Sequence, residues 1–191
     1  MPVLVTDEGV FAQSEWIIRY ADAYLPPEQR LIVSPEVAEF CRWLDAGLGP
    51  DARRLIYKLM LPRPELMLPY NNQGVPAWEA RALTAFYRLA VRWATRELAL
   101  TSGDDTPLVF AAFDRVAAQL GDRPFLFGDR FTAADLTFAC LAAAVVLPPE
   151  YAVPLPQVPE LEPFREHPAG AYALRLFREL RYSSADAGSG A

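Results

Sequence analysis

The spacing of apolar residues changes once along the chain. Near the N-terminus, the short apolar runs 3–6 and 10–12 flank a turn that ends in Gly9, a pattern that predicts a β-hairpin. Residues 15–24 then place apolar side chains at helical spacing, and Ser14 is the expected N-cap of this helix. After this helix the pattern is helical almost throughout. The sequence therefore predicts a mainly α protein that opens with a β-β-α segment.

Proline and glycine residues divide the helical part into six predicted helices. They cover residues 35–44, 51–61, 76 to about 100, 107–120, 132–147 and 169–182. Ser34 is the expected N-cap of the first helix, and glycine and proline at 47–50 are expected to end it. Prolines at 62–64 are expected to stop the second helix, and a polar turn follows at 70–74. In the longest helix, an apolar stripe that includes Phe86 and Trp93 is expected to face the core. Residues 132–147 are apolar on every side, so this helix is expected at the centre of the bundle. The proline-rich stretch 148–163 is predicted to be a surface connection.

The start of the predicted central helix carries a capping box. Thr132 stands at the N-cap, and Asp135 follows three residues later, where its carboxylate can return to the N–H of Thr132. Phe131 and Leu136 have the spacing of a hydrophobic staple across the first turn. A helix that is surrounded by other helices cannot leave its first N–H groups unpaired. We therefore expect Thr132 and Asp135 to serve folding rather than catalysis.

Composition and charge exclude several classes of function. The 191 residues are 52% hydrophobic and 22% charged, which is typical of a globular protein and not of a disordered one. With 18 Lys and Arg against 24 Asp and Glu, the net charge is −6. A negative chain is not drawn to phosphate backbones or anionic lipids by its overall field, so neither nucleic acid nor membrane is an expected partner.

Few side chains are suited to metal or histidine chemistry. The two cysteines, Cys41 and Cys140, are far apart in the sequence, which suggests neither a disulfide framework nor a zinc site. The single histidine, His167, excludes any mechanism that needs two, and we expect a structural role for it. The longest apolar run, residues 138–147, is too short to span a bilayer, and no signal peptide is indicated. We predict a cytoplasmic protein with no metal site and no bound cofactor.

Two segments carry a resemblance to a known family. The stretch 126–135, Leu-Phe-Gly-Asp-Arg-Phe-Thr-Ala-Ala-Asp, resembles the capping segment in the C-terminal domain of glutathione transferases. The opening Pro2-Val3, with Gly9 and Gln13-Ser14, resembles the last part of the thioredoxin-like domain of the same family. The resemblance covers about residues 2–181. It implies a partial thioredoxin-like domain (1–24), a linker (25–34), an all-helical domain (35–182) and a flexible tail (183–191).

The resemblance also implies a binding site for glutathione. In the family, a cis-proline and the residue after it contact the cysteinyl unit, and a Gln-Ser or acidic-Ser pair holds the γ-glutamyl carboxylate. Carried over to this chain, these positions are Pro2, Val3, Gln13 and Ser14. The Ser14 assignment agrees with the preference of anions for helix N-termini, although a serine there is more commonly a simple cap. Tyr57, Tyr70 and Trp78 could line a cleft for an apolar substrate, but packing is their more usual role, and none is nominated.

The resemblance does not include the segment that carries the family's catalytic residue. The family's activating Tyr, Ser or Cys lies on the first helix of the thioredoxin-like domain, and this chain opens at the third strand of that domain. No catalytic residue is therefore nominated. Three explanations follow: the true start lies upstream, another chain supplies the missing half, or the chain is a remnant used for its helical domain. The sequence leaves these three explanations open.

Two functions are compatible with the resemblance. In the first, the chain is a glutathione transferase with glutathione as co-substrate and a hydrophobic electrophile as its second substrate, but conjugation by this chain is expected to be weak or absent. In the second, it is a non-catalytic helical interaction module. The apolar edge at 3–5 would invite a partner protein or a second copy, giving a homodimer.

Overall fold

The computed structural model describes residues 2–101, 103–151 and 155–181. These residues form two strands, β1 Leu4–Thr6 and β2 Gly9–Phe11, followed by nine α-helices within the described ranges. The helices are α1 Ser14–Ala23, α2 Pro35–Ala46, α3 Leu48–Met60, α4 Pro64–Asn71, α5 Ala77–Glu97, α6 Thr106–Leu120, α7 Ala133–Val146, α8 Glu162–Glu166 and α9 Pro168–Leu180. The predicted mainly α fold is confirmed. The predicted tail 183–191 and the bond between Met1 and Pro2 lie outside the described residues.

The N-terminal hairpin has the predicted form. β1 and β2 are antiparallel, with Val5 opposite Val10 and Thr6 opposite Gly9. Gly9 takes a φ of 144°, which a residue with a side chain adopts only with strain. Helix α1 follows directly, but it begins at Ser14, so the prediction that Ser14 is the N-cap is wrong. The N-cap is Gln13, in extended conformation, and its side chain makes no capping hydrogen bond.

A buried aspartate ties the N-terminal segment to the helical bundle. Asp22, near the end of α1, accepts hydrogen bonds from the backbone N–H groups of Leu31 at 2.9 Å and Ile32 at 2.8 Å. The carbonyl of Leu31 in turn accepts from the N–H of Ala133 at 2.9 Å. Residues 25–34, predicted only as a linker, therefore connect the end of α1 to the first turn of α7.

Helix α7 is the centre of the bundle, as its all-apolar surface predicts. It packs against α2, α3, α8 and α9. Ten of its fourteen residues are buried, including Phe138, Val145 and Val146. Only a helix with neighbours on every side can bury so many positions.

Two helix boundaries differ from the prediction because of proline. The predicted break at residues 47–50 is only a junction at Gly47, after which α3 begins at Leu48 and includes Pro50 in its first turn. Helix α4 begins at Pro64, in a stretch for which the sequence predicts a stop and a polar turn. A proline in the first turn removes no intrahelical hydrogen bond, because those N–H groups have no partner within the helix. The cap of α2 is as predicted, since Ser34 Oγ accepts from the N–H of Val37.

Helix α5 is only partly packed on the bundle. Its one buried side chain is that of Tyr87, which donates a hydrogen bond from its hydroxyl to the carbonyl of Leu61 at 2.8 Å. Val91 and Ala94 are half-buried against the core. Phe86 and Trp93, which the pattern placed on the core-facing stripe, are 65% and 66% exposed. That part of the prediction is wrong.

The proline-rich connection is less peripheral than predicted. Val158 and Leu161 are buried, and Phe164 on α8 stacks on Phe110 of α6 with ring centroids 4.3 Å apart. Residues 152–154 of this connection lie outside the described part of the chain. His167 caps α9, as a structural role implies: its Nδ1 accepts from the N–H of Ala169 at 3.2 Å.

Candidate functional site

The four residues of the predicted glutathione site lie in the N-terminal segment. Pro2 and Val3 precede β1, and both are exposed. Gln13 is exposed at the start of α1, and Ser14, half-buried, is the first residue of that helix. The first intrahelical bond of α1 runs from the N–H of Ile17 to the carbonyl of Gln13. The N–H groups of the first turn are therefore free of intrahelical partners and point away from the helix.

A charged residue that the sequence reasoning did not use lies beside this helix start. The carboxylate of Glu15 forms ion pairs with Arg19 at 2.7 Å and with Arg42 of α2 at 3.2 Å. The two guanidinium groups offset its negative charge next to Ser14. They also fix the start of α1 against α2. Only the Glu15–Arg19 spacing of four residues was visible in the sequence.

An apolar cavity lies between α3, α4 and α7 and the start of the proline-rich connection. Its volume is about 240 Å³. Tyr57 and Tyr70 both line it, so the structure brings together two of the three aromatic residues considered for a substrate cleft. Trp78 does not line it and is 69% exposed. The remaining wall includes Met60, Met67, Cys140, Leu141, Leu147 and Tyr151.

Cys140 is poorly suited to act as a nucleophile. It lies on α7 and lines both this cavity and a second apolar one of about 450 Å³ near Phe131 and Phe177. The Cys140 residue is exposed, yet the protein around its thiol displaces enough water to raise the thiol pKa, and the charge of Arg181 opposes this only in part. A thiol with a raised pKa is protonated at neutral pH, and the thiolate is the reactive form.

The capping box predicted at Thr132 and Asp135 is present. Both residues are fully buried, and one carboxylate oxygen of Asp135, Oδ2, accepts from the N–H of Thr132 at 2.7 Å and from its hydroxyl at 2.9 Å. The other oxygen, Oδ1, accepts from the N–H of Leu126 at 2.8 Å and from the hydroxyl of Tyr172. The network is enclosed by the core, so it stabilises the fold and offers no open site.

The described residues meet the requirements of neither a metal site nor a membrane-spanning helix. Among them, no three His, Cys, Asp or Glu side chains are grouped as metal ligands. No helix in this part of the chain combines the length and apolarity that crossing a bilayer requires.

Comparison with known proteins gives one match. Residues 76–169 match the family model of the glutathione S-transferase C-terminal domain. This range contains α5, α6, α7 and the capping box. Residues 76–169 therefore form a glutathione S-transferase C-terminal domain, in agreement with the resemblance carried by residues 126–135. No curated protein and no solved structure matches the chain.

Proposed function

We propose that the chain binds glutathione as part of a glutathione transferase-like protein. The observation that carries the proposal is the family match over residues 76–169, together with a strand-strand-helix segment at the position where the resemblance places part of the glutathione site. Pro2, Val3, Gln13 and Ser14 are the proposed contacts. The free N–H groups and the hydroxyl at the start of α1 suit the γ-glutamyl carboxylate, because the helix dipole and the unpaired donors both favour an anion.

The cavity between α3, α4 and α7 is the proposed place for an apolar electrophile. Its wall is formed mostly by aliphatic, methionine and tyrosine side chains, which favour a small hydrophobic molecule over a charged one. The hydroxyl of Tyr57 or Tyr70 can orient a polar atom of such a molecule. A volume of about 240 Å³ has room for a molecule of roughly the size of a substituted benzene ring.

Conjugation also requires a donor that stabilises the glutathione thiolate. Lowering the pKa of that thiol raises the concentration of the nucleophile at neutral pH. Gln13 and Ser14 are proposed for the carboxylate and not for the sulfur, and no residue of this chain is proposed as the activating donor. We therefore expect binding of glutathione with little turnover by this chain.

Two measurements test this function. Isothermal titration calorimetry of the full chain should show saturable, one-site binding of glutathione, while the formation of a conjugate with chlorodinitrobenzene should stay close to the rate in buffer. Absence of glutathione binding contradicts the proposal. Rapid conjugation contradicts the expectation of little turnover.

A non-catalytic interaction module is the second candidate. The specific observation in its favour is the exposed apolar surface of the hairpin, where Val3, Val5 and Val10 are 60%, 71% and 67% exposed. A two-stranded sheet with two apolar edges is marginally stable by itself and is a template for another strand. Sedimentation velocity distinguishes the two candidates: association that is lost in Val5→Lys favours the module, and a monomer that binds glutathione favours the first function.

A further inference from the structure

A stripe of large apolar side chains runs along the outer face of α5. Trp78, Ala82, Phe86, Leu89 and Trp93 recur every three or four residues and therefore share one side of the helix. We call this set the α5 stripe. Its four large side chains are between 65% and 69% exposed. The stripe is about 22 Å long, because its ends are fifteen residues apart at about 1.5 Å per residue.

A row of arginines borders the stripe. Arg81, Arg88 and Arg92 are exposed and lie on the neighbouring side of the helix, and Arg96 continues the stripe at its end. Throughout the described ranges, none of these four guanidinium groups takes part in an ion pair. The helix also carries Glu79 and Glu97, so it has an excess of two positive charges.

We propose that the α5 stripe and its arginine row bind the surface of an anionic lipid bilayer. An amphipathic helix in the interface buries its Trp, Phe and Leu side chains among the upper acyl chains, while adjacent arginines reach the phosphate groups. Trp78 and Trp93, near the two ends of the stripe, suit the interface because their indole rings are amphipathic. The opposite side of α5 faces the bundle through Tyr87, so the helix lies along the surface with the domain above it.

The charge pattern favours an anionic surface over an antiparallel pair of copies of the chain. In a two-fold antiparallel pairing of α5 stripes, the arginine edges of both copies fall on the same side of the interface. Six guanidinium groups, from Arg81, Arg88 and Arg92 of each copy, would then line one edge without acidic partners, which costs free energy through repulsion. Lipid phosphates remove this repulsion.

The overall charge of −6 does not prevent this binding. Charges that are farther from the membrane than about 8 Å are screened at physiological ionic strength, so the residues at the contact decide the attraction. The net charge describes the whole chain and not the surface that would contact a membrane. The structure shows that the exposed arginines of α5 lie together beside the apolar stripe.

Co-flotation of the full chain with lipid vesicles tests the proposal. The chain should float with vesicles of phosphatidylcholine and phosphatidylglycerol and much less with phosphatidylcholine alone. Trp93→Ala should weaken partitioning by about tenfold, since it removes one of the largest side chains that the stripe would bury in the bilayer. Arg88→Gln/Arg92→Gln should also weaken it by about tenfold and should reduce its dependence on salt.

Matched variants away from α5 provide the controls. Trp16→Ala removes a tryptophan that is 55% exposed on α1, and Arg42→Gln/Arg178→Gln removes two exposed arginines. Both should partition like wild type, and urea midpoints check that every variant is folded. The proposal is overturned if the chain does not bind anionic vesicles or if the control variants lose as much binding as the α5 variants. A lipid-free dimer that Trp93→Ala dissociates overturns it as well, by identifying the stripe as an interface between copies.

Discussion

The hydroxyl of Tyr172 donates a hydrogen bond to Oδ1 of Asp135 and so joins α9 to the first turn of α7. Both side chains are buried, with exposed fractions of 4% and 0%. Burial, together with this bond to a carboxylate, raises the pKa of Tyr172 above its usual value. The tyrosine therefore remains protonated, and a hydrogen-bond donor, at neutral pH.

Asp135→Ala should lower the free energy of unfolding by about 3–5 kcal/mol. The carboxylate accepts four hydrogen bonds, and its removal leaves the buried N–H groups of Leu126 and Thr132 unpaired. Urea unfolding followed by circular dichroism measures the change. The exposed neighbour Asp129 provides the control, and Asp129→Ala should change the value by less than about 0.5 kcal/mol. Equal effects of the two substitutions would contradict the role assigned to Asp135.

This network shows what local sequence can and cannot predict. The spacing of Thr132 and Asp135 is sufficient to predict the capping box, because its two partners are three residues apart. Leu126 and Tyr172, which donate the other two bonds, are 9 and 37 positions away from Asp135. Contacts at such separations leave no periodic pattern in the sequence from which they could be predicted. From the capping box alone, a loss of only about 1 kcal/mol would be expected for Asp135→Ala.

Asp22→Ala should loosen the N-terminal segment more than the bundle. It removes both acceptors that hold the N–H groups of Leu31 and Ile32. Hydrogen exchange at these two amides should accelerate by at least tenfold, while exchange in α7 changes little. Asp7→Ala, in the exposed hairpin turn, should leave both rates unchanged. Uniform acceleration in the Asp22 variant would mean that the segment and the bundle unfold together.

Gly170→Ala, at the junction of α8 and α9, should lower the free energy of unfolding by about 2 kcal/mol or more. A Cβ atom at residue 170 would clash with the carbonyl oxygen of Phe164, so the backbone of α8 has to move. The control is Ala171→Gly, at an exposed position of the same helix, which should cost only about 1 kcal/mol through helix propensity. Thermal unfolding compares the two. A smaller effect at residue 170 than at 171 would contradict the close approach.

The ion pair of Glu160 with Arg63 should contribute to stability only above acidic pH. Hydrogen bonding to Arg63 lowers the pKa of Glu160 from 4.5 to about 2. A pKa that is lower in the folded state gives a stabilisation that is complete above pH 4.5 and is lost as the pH falls toward 2. Glu160→Gln and Arg63→Gln should therefore both flatten the decline of the urea midpoint across this range. Because the pair is exposed, the effect should be small and sensitive to salt. A urea midpoint that declines as steeply with falling pH in both variants as in wild type would contradict this role of the ion pair.

The pattern of apolar residues predicts helices better than it predicts their environments. The hairpin, the cap at Ser34 and the central position of α7 follow from local spacing, and the structure confirms them. The exposure of Phe86 and Trp93 does not follow, because α5 has apolar residues on two sides and periodicity cannot say which side meets the core. Pro50 and Pro64 were read as helix breaks, although both occupy the first turn, where proline is tolerated.

The candidate site was less accessible to sequence reasoning than the fold. Gln13 and Ser14 came from a resemblance, and their assignment to glutathione stays a prediction. The ion pair of Glu15 with Arg42 joins residues 27 positions apart and leaves no local signal. The cavity shared by Tyr57 and Tyr70 requires the packing of α3 and α4 on α7, which only the three-dimensional structure gives.

A pair of serine variants, compared in glutathione titrations of the full chain, tests the central claim most directly. Ser14 begins α1 at the proposed carboxylate site, and Ser34 caps α2 through its bond to Val37. Ser14→Ala should weaken glutathione binding by about tenfold, the equivalent of one hydrogen bond to a charged group, whereas Ser34→Ala should leave the affinity unchanged. Equal affinities of wild type and Ser14→Ala would contradict the placement of the glutathione carboxylate at the start of α1.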